Sequence, residues 1–378
     1  MTIIGGNSRA GTTAASILAC IAILLLAGFL RCYRLDLVSV TDATGLQVLS
    51  ALAALSLDGT DWPLAGPPTE SVRGSAFLVS GIAAASLISW HVFSGIVFVA
   101  ALNLCAIALL YHLCVKQFGV RVAIMTTLLY ASSPWGVLYS RLLAPSSCLA
   151  VFGIGLIYVS LRWLEEKGNK QLTMMVLLGF AIPQIHFSGV CASLWLAGVL
   201  FIGRKDVSYV SLAVGGVLGA ALWIPWIAFQ HLNDWIELRA WFGSVLMAPS
   251  AHAKALLQSL NYLQSMLHSS NFDYWFGGSP SQWPEHFPLW QRLLFGTTAA
   301  VLSALLLMSV IQTVRTADRS LRLLLVWITL PVFFGTVLRT GLDPENVLIA
   351  CPAVFILVGV VIDRFRERLP QRMRLAPG

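Results

Sequence analysis

The polar positions of this chain are gathered between long apolar runs. Ten stretches carry no Asp, Glu, Lys or Arg: 12–30, 74–89, 92–115, 122–139, 146–161, 172–202, 207–229, 293–314, 323–338 and 347–362. Runs of this length fit helices that cross a bilayer, whose hydrocarbon core takes about 20 residues of α-helix. The run 172–202 is too long for one crossing and short for two. Pro183-Gln184-Ile185-His186 lies near its middle, and proline frees a carbonyl that is tolerated at membrane depth only beside a cavity or another helix. A break is therefore expected there. The run 74–89 is short and rich in Ser, Ala and Gly, so it is expected to dip into the outer leaflet without crossing. The pattern predicts an all-α, polytopic integral membrane protein with about ten transmembrane helices and interfacial helices in the first outer loop.

Composition agrees with the pattern. The 378 residues are 57% hydrophobic and 11% charged, which leaves no room for a large soluble catalytic domain. The net charge of +7 acquires a meaning once the basic residues are placed on the helix ends. With a cytoplasmic N-terminus and ten spans, 16 Lys and Arg lie inside and 8 outside, as the positive-inside rule requires. If 74–89 crosses and the N-terminus stays inside, the split inverts to 6 against 18. An eleven-span arrangement with the N-terminus outside gives 18 against 6, and both surviving arrangements agree after His91. Basic residues so distributed need no nucleic acid partner. The seven cysteines are scattered and form no CxxC pair, which indicates neither a disulfide framework nor a zinc site.

Three regions follow: a transmembrane core at 1–229 with a first outer loop at 31–91, an aromatic-rich outer loop at 230–291, and C-terminal helices with a basic cytoplasmic tail at 292–378. No P-loop, GxSxG, HExxH or Rossmann glycine pattern occurs. Chemistry falls instead to polar residues collected at the outer face. They are the first outer segment with Asp36, Thr41 and Asp42, then Glu70 and Arg73, then Ser133-Pro134-Trp135 through Tyr139-Ser140-Arg141, and finally Gln184 and His186. The second outer loop adds Trp235, Trp241, Tyr262, Tyr274, Trp275, Trp283 and Trp290.

These patches, together with Tyr33-Arg34-Leu35, Gln117-Phe118-Gly119-Val120-Arg121 and Cys351-Pro352-Ala353, stand in an order and spacing that resembles the C-type glycosyltransferase superfamily, in its aminoarabinose transferase and protein O-mannosyltransferase branch. The resemblance implies a multi-span enzyme of the bacterial inner membrane. It implies a polyprenyl-phosphate-linked sugar as donor, a glycan, lipid or protein as acceptor, and an active site on the extracytoplasmic face. It assigns Asp42, the acidic residue of the first outer loop, to the acceptor, and it puts Arg73 where a related branch has lysine. No cofactor is called for, and a divalent metal is left open. The sequence departs from the superfamily at Asp42-Ala43, where many relatives have Asp-Glu, at Ala144-Pro145-Ser146, and at Glu345-Asn346 before the last helix.

The residue types suit sugar transfer for chemical reasons. A carboxylate takes the acceptor's proton and cations steady the departing phosphate. Asp42 is the expected base, and Arg73 and Arg141 the expected phosphate ligands, since the guanidinium fork matches phosphate oxygens. Glu70, Gln184, His186 and Trp275 complete the expected substrate-binding set. Each has a plainer reading beside it. Asp42 also fits a helix cap, the arginines fit headgroup contact, His186 fits a hydrogen-bonded packing residue, and the tryptophans fit an interfacial belt. The alternative to an enzyme is a flippase, transporter or assembly subunit of envelope polysaccharide synthesis. A transporter, however, calls for paired charges at mid-membrane, and the charges here lie at span ends.

Overall fold

The structure is a computed structural model that describes residues 9–35, 47–52, 64–66, 76–88, 93–247, 252–268, 289–338 and 344–368. All regular structure among them is helical. The helices are α1 (Arg9–Cys32), α2 (Phe77–Ser86), α3 (Phe93–Gln117), α4 (Val120–Ser132), α5 (Pro134–Tyr139), α6 (Leu149–Glu166), α7 (Asn169–Ile185), α8 (Val190–Ile202), α9 (Tyr209–Ala221), α10 (Ile224–Leu232), α11 (Ile236–Met247), α12 (His252–His268), α13 (Leu289–Arg315), α14 (Arg319–Leu338) and α15 (Cys351–Arg368). Residues 47–52 are also helical. Six segments are long and apolar enough to cross a membrane, and a seventh if α9 and α10 form one span bent by 43°. The protein is thus a polytopic membrane protein, all-helical among the described residues. The remaining apolar helices α2, α4 and α8 are shorter than a full crossing.

Several apolar runs are broken where hydropathy alone shows nothing. The run 122–139 divides at Ser133, whose hydroxyl caps the Gly136 N–H while Pro134 opens α5. The run 207–229 bends before Pro225, which can neither donate to the helix nor sit against the preceding turn without strain. The run 172–202 breaks where expected, at the end of Pro183-Gln184-Ile185-His186 and not at the proline itself. Helix α7 runs through Pro183 and stops only at His186. The carbonyl that Pro183 leaves free, on Gly179, accepts instead from Ser193 Oγ of α8 at 2.8 Å.

Close packing substitutes for the hydrophobic effect, which gives lipid-surrounded helices little reason to associate. Ser211, Gly215 and Gly219 make a small-residue face of α9 at four-residue spacing, and it lies on α7. A methyl group on Gly215 would stand 2.7 Å from the Thr173 carbonyl, so only glycine permits that approach. Four tryptophans, Trp135, Trp163, Trp195 and Trp327, are fully buried or nearly so. Trp195 and Trp327 meet edge to face at 5.3 Å.

The connections sort to two ends of the bundle. One end holds 117–119, 167–168, 203–208 and 316–318, tied by the Lys167–Asp206 ion pair at 2.8 Å and an Arg364–Asp318 approach of 3.7 Å. It is the basic end, with Lys116, Arg121, Lys167, Arg204, Lys205, Arg315 and Arg319. The other end holds the exit of α1, the Ser133–Cys148 region, the turn after α7 and the segment 344–350.

Candidate functional site

Three short 3₁₀ turns meet at the second end: Pro145–Cys148, Phe187–Gly189 and Pro344–Asn346. Each is held by a specific interaction. Buried Asn103 of α3 donates to the Ser147 carbonyl at 3.0 Å and fixes the first turn. The second folds back on α7 so tightly that a Cβ on Gly189 would meet the Ile182 carbonyl at 2.5 Å, and Phe187 packs on Phe334 of α14. The third leads into the Leu348–Ala350 turn, where Trp327 donates its indole N–H to the Ile349 carbonyl at 3.0 Å.

The turns bring His186 and Glu345 together. His186 Nε2 lies 3.5 Å from Glu345 Oε2, with the two side chains 20% and 24% exposed. Both are therefore reachable from outside the bundle yet mostly withdrawn from bulk water. His186 Nδ1 accepts from the Ser188 backbone N–H at 3.3 Å and lies 2.9 Å from the Ser188 hydroxyl. A ring held as acceptor at Nδ1 carries its proton on Nε2, facing the carboxylate. Burial pushes the Glu345 carboxyl up, but the His186 ring and the nearby Ser146 hydroxyl outweigh it and hold the group below the ordinary glutamate value. A carboxylate kept ionised in this way is a poor proton shuttle and a good acceptor for hydroxyl donors. Gln184, one turn position before, is buried with its amide nitrogen unpartnered among the described residues.

Arg141 stands beside this cluster in sequence, four residues before the Pro145–Cys148 turn. Its Nη2 donates to the Arg34 carbonyl at 2.7 Å, while Nε has no partner among the described residues. Arg34 is one of four described non-glycine residues at positive φ, so the guanidinium steadies the point where the chain leaves α1. Arg31, one turn earlier, is fully buried and donates to the carbonyls of Ala27 and Ala131 at 3.3 and 2.9 Å. A cation at the carbonyl ends of α1 and α4 complements both helix dipoles.

Of the segment 230–291, α12 packs over α13 and α14 and reaches α5 and the Pro344–Asn346 turn. It buries Tyr262, Leu263, Met266 and Leu267, and Ser133 Oγ donates to the Met266 carbonyl at 3.2 Å. Asp42, Glu70, Arg73 and Trp275 lie outside the described residues. The structure therefore brings His186 to an unforeseen carboxylate. Sequence reading registered Glu345 and Ser146 only as departures from a pattern, and it passed over Asn103 altogether. A polar residue inside an apolar run, such as Asn103, was the available signal. Among the described residues no three His, Cys, Asp or Glu side chains converge as a metal set.

No family model and no curated protein matches the chain. Solved structures do. ArnT from Cupriavidus metallidurans bound to undecaprenyl phosphate superposes with a TM-score of 0.58 at 15% identity, over 97% of this chain and 62% of that one. The same protein in the apo state gives 0.57 at 16% identity, over 97% and 61%. The archaeal oligosaccharyltransferase AglB from Archaeoglobus fulgidus, in complex with an inhibitory peptide and a dolichol-phosphate, gives 0.57 at 14% identity, over 97% and 52%. This chain thus spans roughly half to three-fifths of the length of the structures it resembles. Its helical fold is similar to that of these ArnT and AglB structures.

Proposed function

We propose that the protein is a membrane glycosyltransferase that moves a sugar from a polyprenyl-phosphate-linked donor to an acceptor at the outer face of the membrane. The observation that carries this reading is the shared fold over 97% of the chain with ArnT bound to undecaprenyl phosphate. The polar cluster at the bundle end with fewer basic residues supports it, because the positive-inside rule puts that end outside. Ten crossings with both termini in the cytoplasm fit the same rule. Helix α2, ten residues and about 15 Å long, would then rest in the outer leaflet, since the hydrocarbon core is about 30 Å thick.

In this reading the acceptor hydroxyl attacks the anomeric carbon, the bond from that carbon to the phosphate oxygen breaks, and the hydroxyl proton passes to Asp42. Arg73 and Arg141 receive the phosphate as its charge grows, and polyprenyl phosphate leaves. Glu345, kept ionised, accepts hydrogen bonds from sugar hydroxyls, and Gln184 contributes its amide to the substrate. Trp275 and Glu70 complete the substrate contacts, and the loop 230–291 closes over the site. Asp42→Asn tests the assignment. Transfer should fall about 10²- to 10⁴-fold while donor-lipid binding persists; full activity in the variant would falsify the role.

A further inference from the structure

At the basic end of the bundle, α13 and α15 enclose a cleft of about 380 Å³, within the range of about 300–1,000 Å³ typical of small-ligand sites. It is separate from the His186 cluster. Eighteen residues of α15, about 27 Å of rise, run from the Leu348–Ala350 turn toward this end. The two helices are joined above the cleft by Ser309 Oγ, which donates to the Leu357 carbonyl at 3.1 Å. Below that junction the walls divide by chemistry. Ile311, Val361 and Phe365 are apolar, whereas Gln312, Arg315 and Arg364 are polar, with Arg315 at the last position of α13.

We propose that this cleft binds the phosphate headgroup of an anionic phospholipid, with the lipid's upper chain segments against the apolar wall. The outer side of α13 is exposed at Leu307, Met308, Ile311 and Val314, so it faces lipid chains up to the cleft. An occupant with apolar chains and an anionic headgroup matches both the exposed apolar side chains and the two arginines, which describes a phospholipid of the surrounding bilayer and not a free anion. Charge at this end favours the match. Residues 315–322 and 363–368 carry six arginines against Asp318, Asp363 and Glu367. Asp318 competes only weakly for Arg364, at 3.7 Å, because its other oxygen caps α14 through the Ser320 and Leu321 N–H groups. Arg322 donates to the Thr316 carbonyl at 2.9 Å and fixes the corner beside the cleft. Arg315 has no ion-pair partner among the described residues.

The test is lipid binding to the purified full-length protein, read by native mass spectrometry after titration with dioleoyl phosphatidylglycerol or dioleoyl phosphatidylcholine. The wild type should prefer phosphatidylglycerol by roughly tenfold or more, as two arginines at a membrane surface allow. Arg315→Gln with Arg364→Gln should abolish the preference. Gln312→Trp, which fills the cleft and keeps both charges, should abolish it too. Arg204→Gln with Arg319→Gln, which removes the same charge outside the cleft, should leave it in place. Retention of the preference in Gln312→Trp, its equal loss in the Arg204/Arg319 variant, or displacement of the lipid by excess inorganic phosphate would each overturn the proposal.

Discussion

His186 and Glu345 come from opposite halves of the chain, and no local pattern joins them. Their meeting depends on three turns, each secured by a buried contact of its own. If Glu345 orients sugar hydroxyls as an ionised group, Glu345→Gln should lower kcat/KM about 10- to 100-fold, the loss of one hydrogen bond to a charged partner. The same variant reports on stability. A carboxyl whose folded pKa lies below its unfolded value stabilises the protein above the unfolded value, and that contribution fades as pH falls through the folded one. The melting temperature of the wild type should therefore exceed that of Glu345→Gln at neutral pH, and the gap should narrow only below about pH 4.3. A gap independent of pH would show that the charge is not what matters. None of this was visible in sequence, where an isolated Glu-Asn before an apolar run has no partner to reveal it.

At the scale of elements, the apolar runs foretold the helices and hydropathy misjudged their joints. Ser133-Pro134 and Pro225 interrupt runs that read as continuous, because a proline acts on backbone hydrogen bonding and not on hydropathy. The break expected within 183–186 is present, and α7 carries Pro183 inside its last turn. The carbonyl that Pro183 orphans on Gly179 finds Ser193, a partner on the next helix that only the folded packing supplies. The α7–α9 contact was legible in principle, since Ser211, Gly215 and Gly219 repeat at the spacing of a close-packed helix face. Gly215→Leu should force those helices apart, at a cost of about 1–3 kcal/mol for overpacking, seen as a lower melting temperature in detergent. Gly216→Leu should be nearly neutral, because a Cβ there meets nothing within 4 Å. Equal losses in the two variants would contradict the packing account.

The whole molecule separates two kinds of chemistry by the length of its helices. Arginines and lysines crowd one end, while the other gathers a carboxylate, an imidazole, an amide and hydroxyls around short turns. That polarity was readable from the positions of the charged residues, as was the resemblance to the C-type glycosyltransferases. The side on which 31–73 lies was not, because its charges fit two topologies. Single cysteines placed at Arg9 and Pro67 in an otherwise cysteine-free protein decide between them: ten crossings predict labelling from outside at position 67 only, and external labelling at position 9 would sink that arrangement. The central claim, sugar transfer from a lipid-linked donor, is tested most directly by incubating the purified protein with a set of polyprenyl-phosphate sugars and an extract of acceptors. Free polyprenyl phosphate should appear, and appear less in Asp42→Asn. Tight binding of the donor with no release of polyprenyl phosphate from any of them would contradict the account and favour a carrier of lipid-linked sugars.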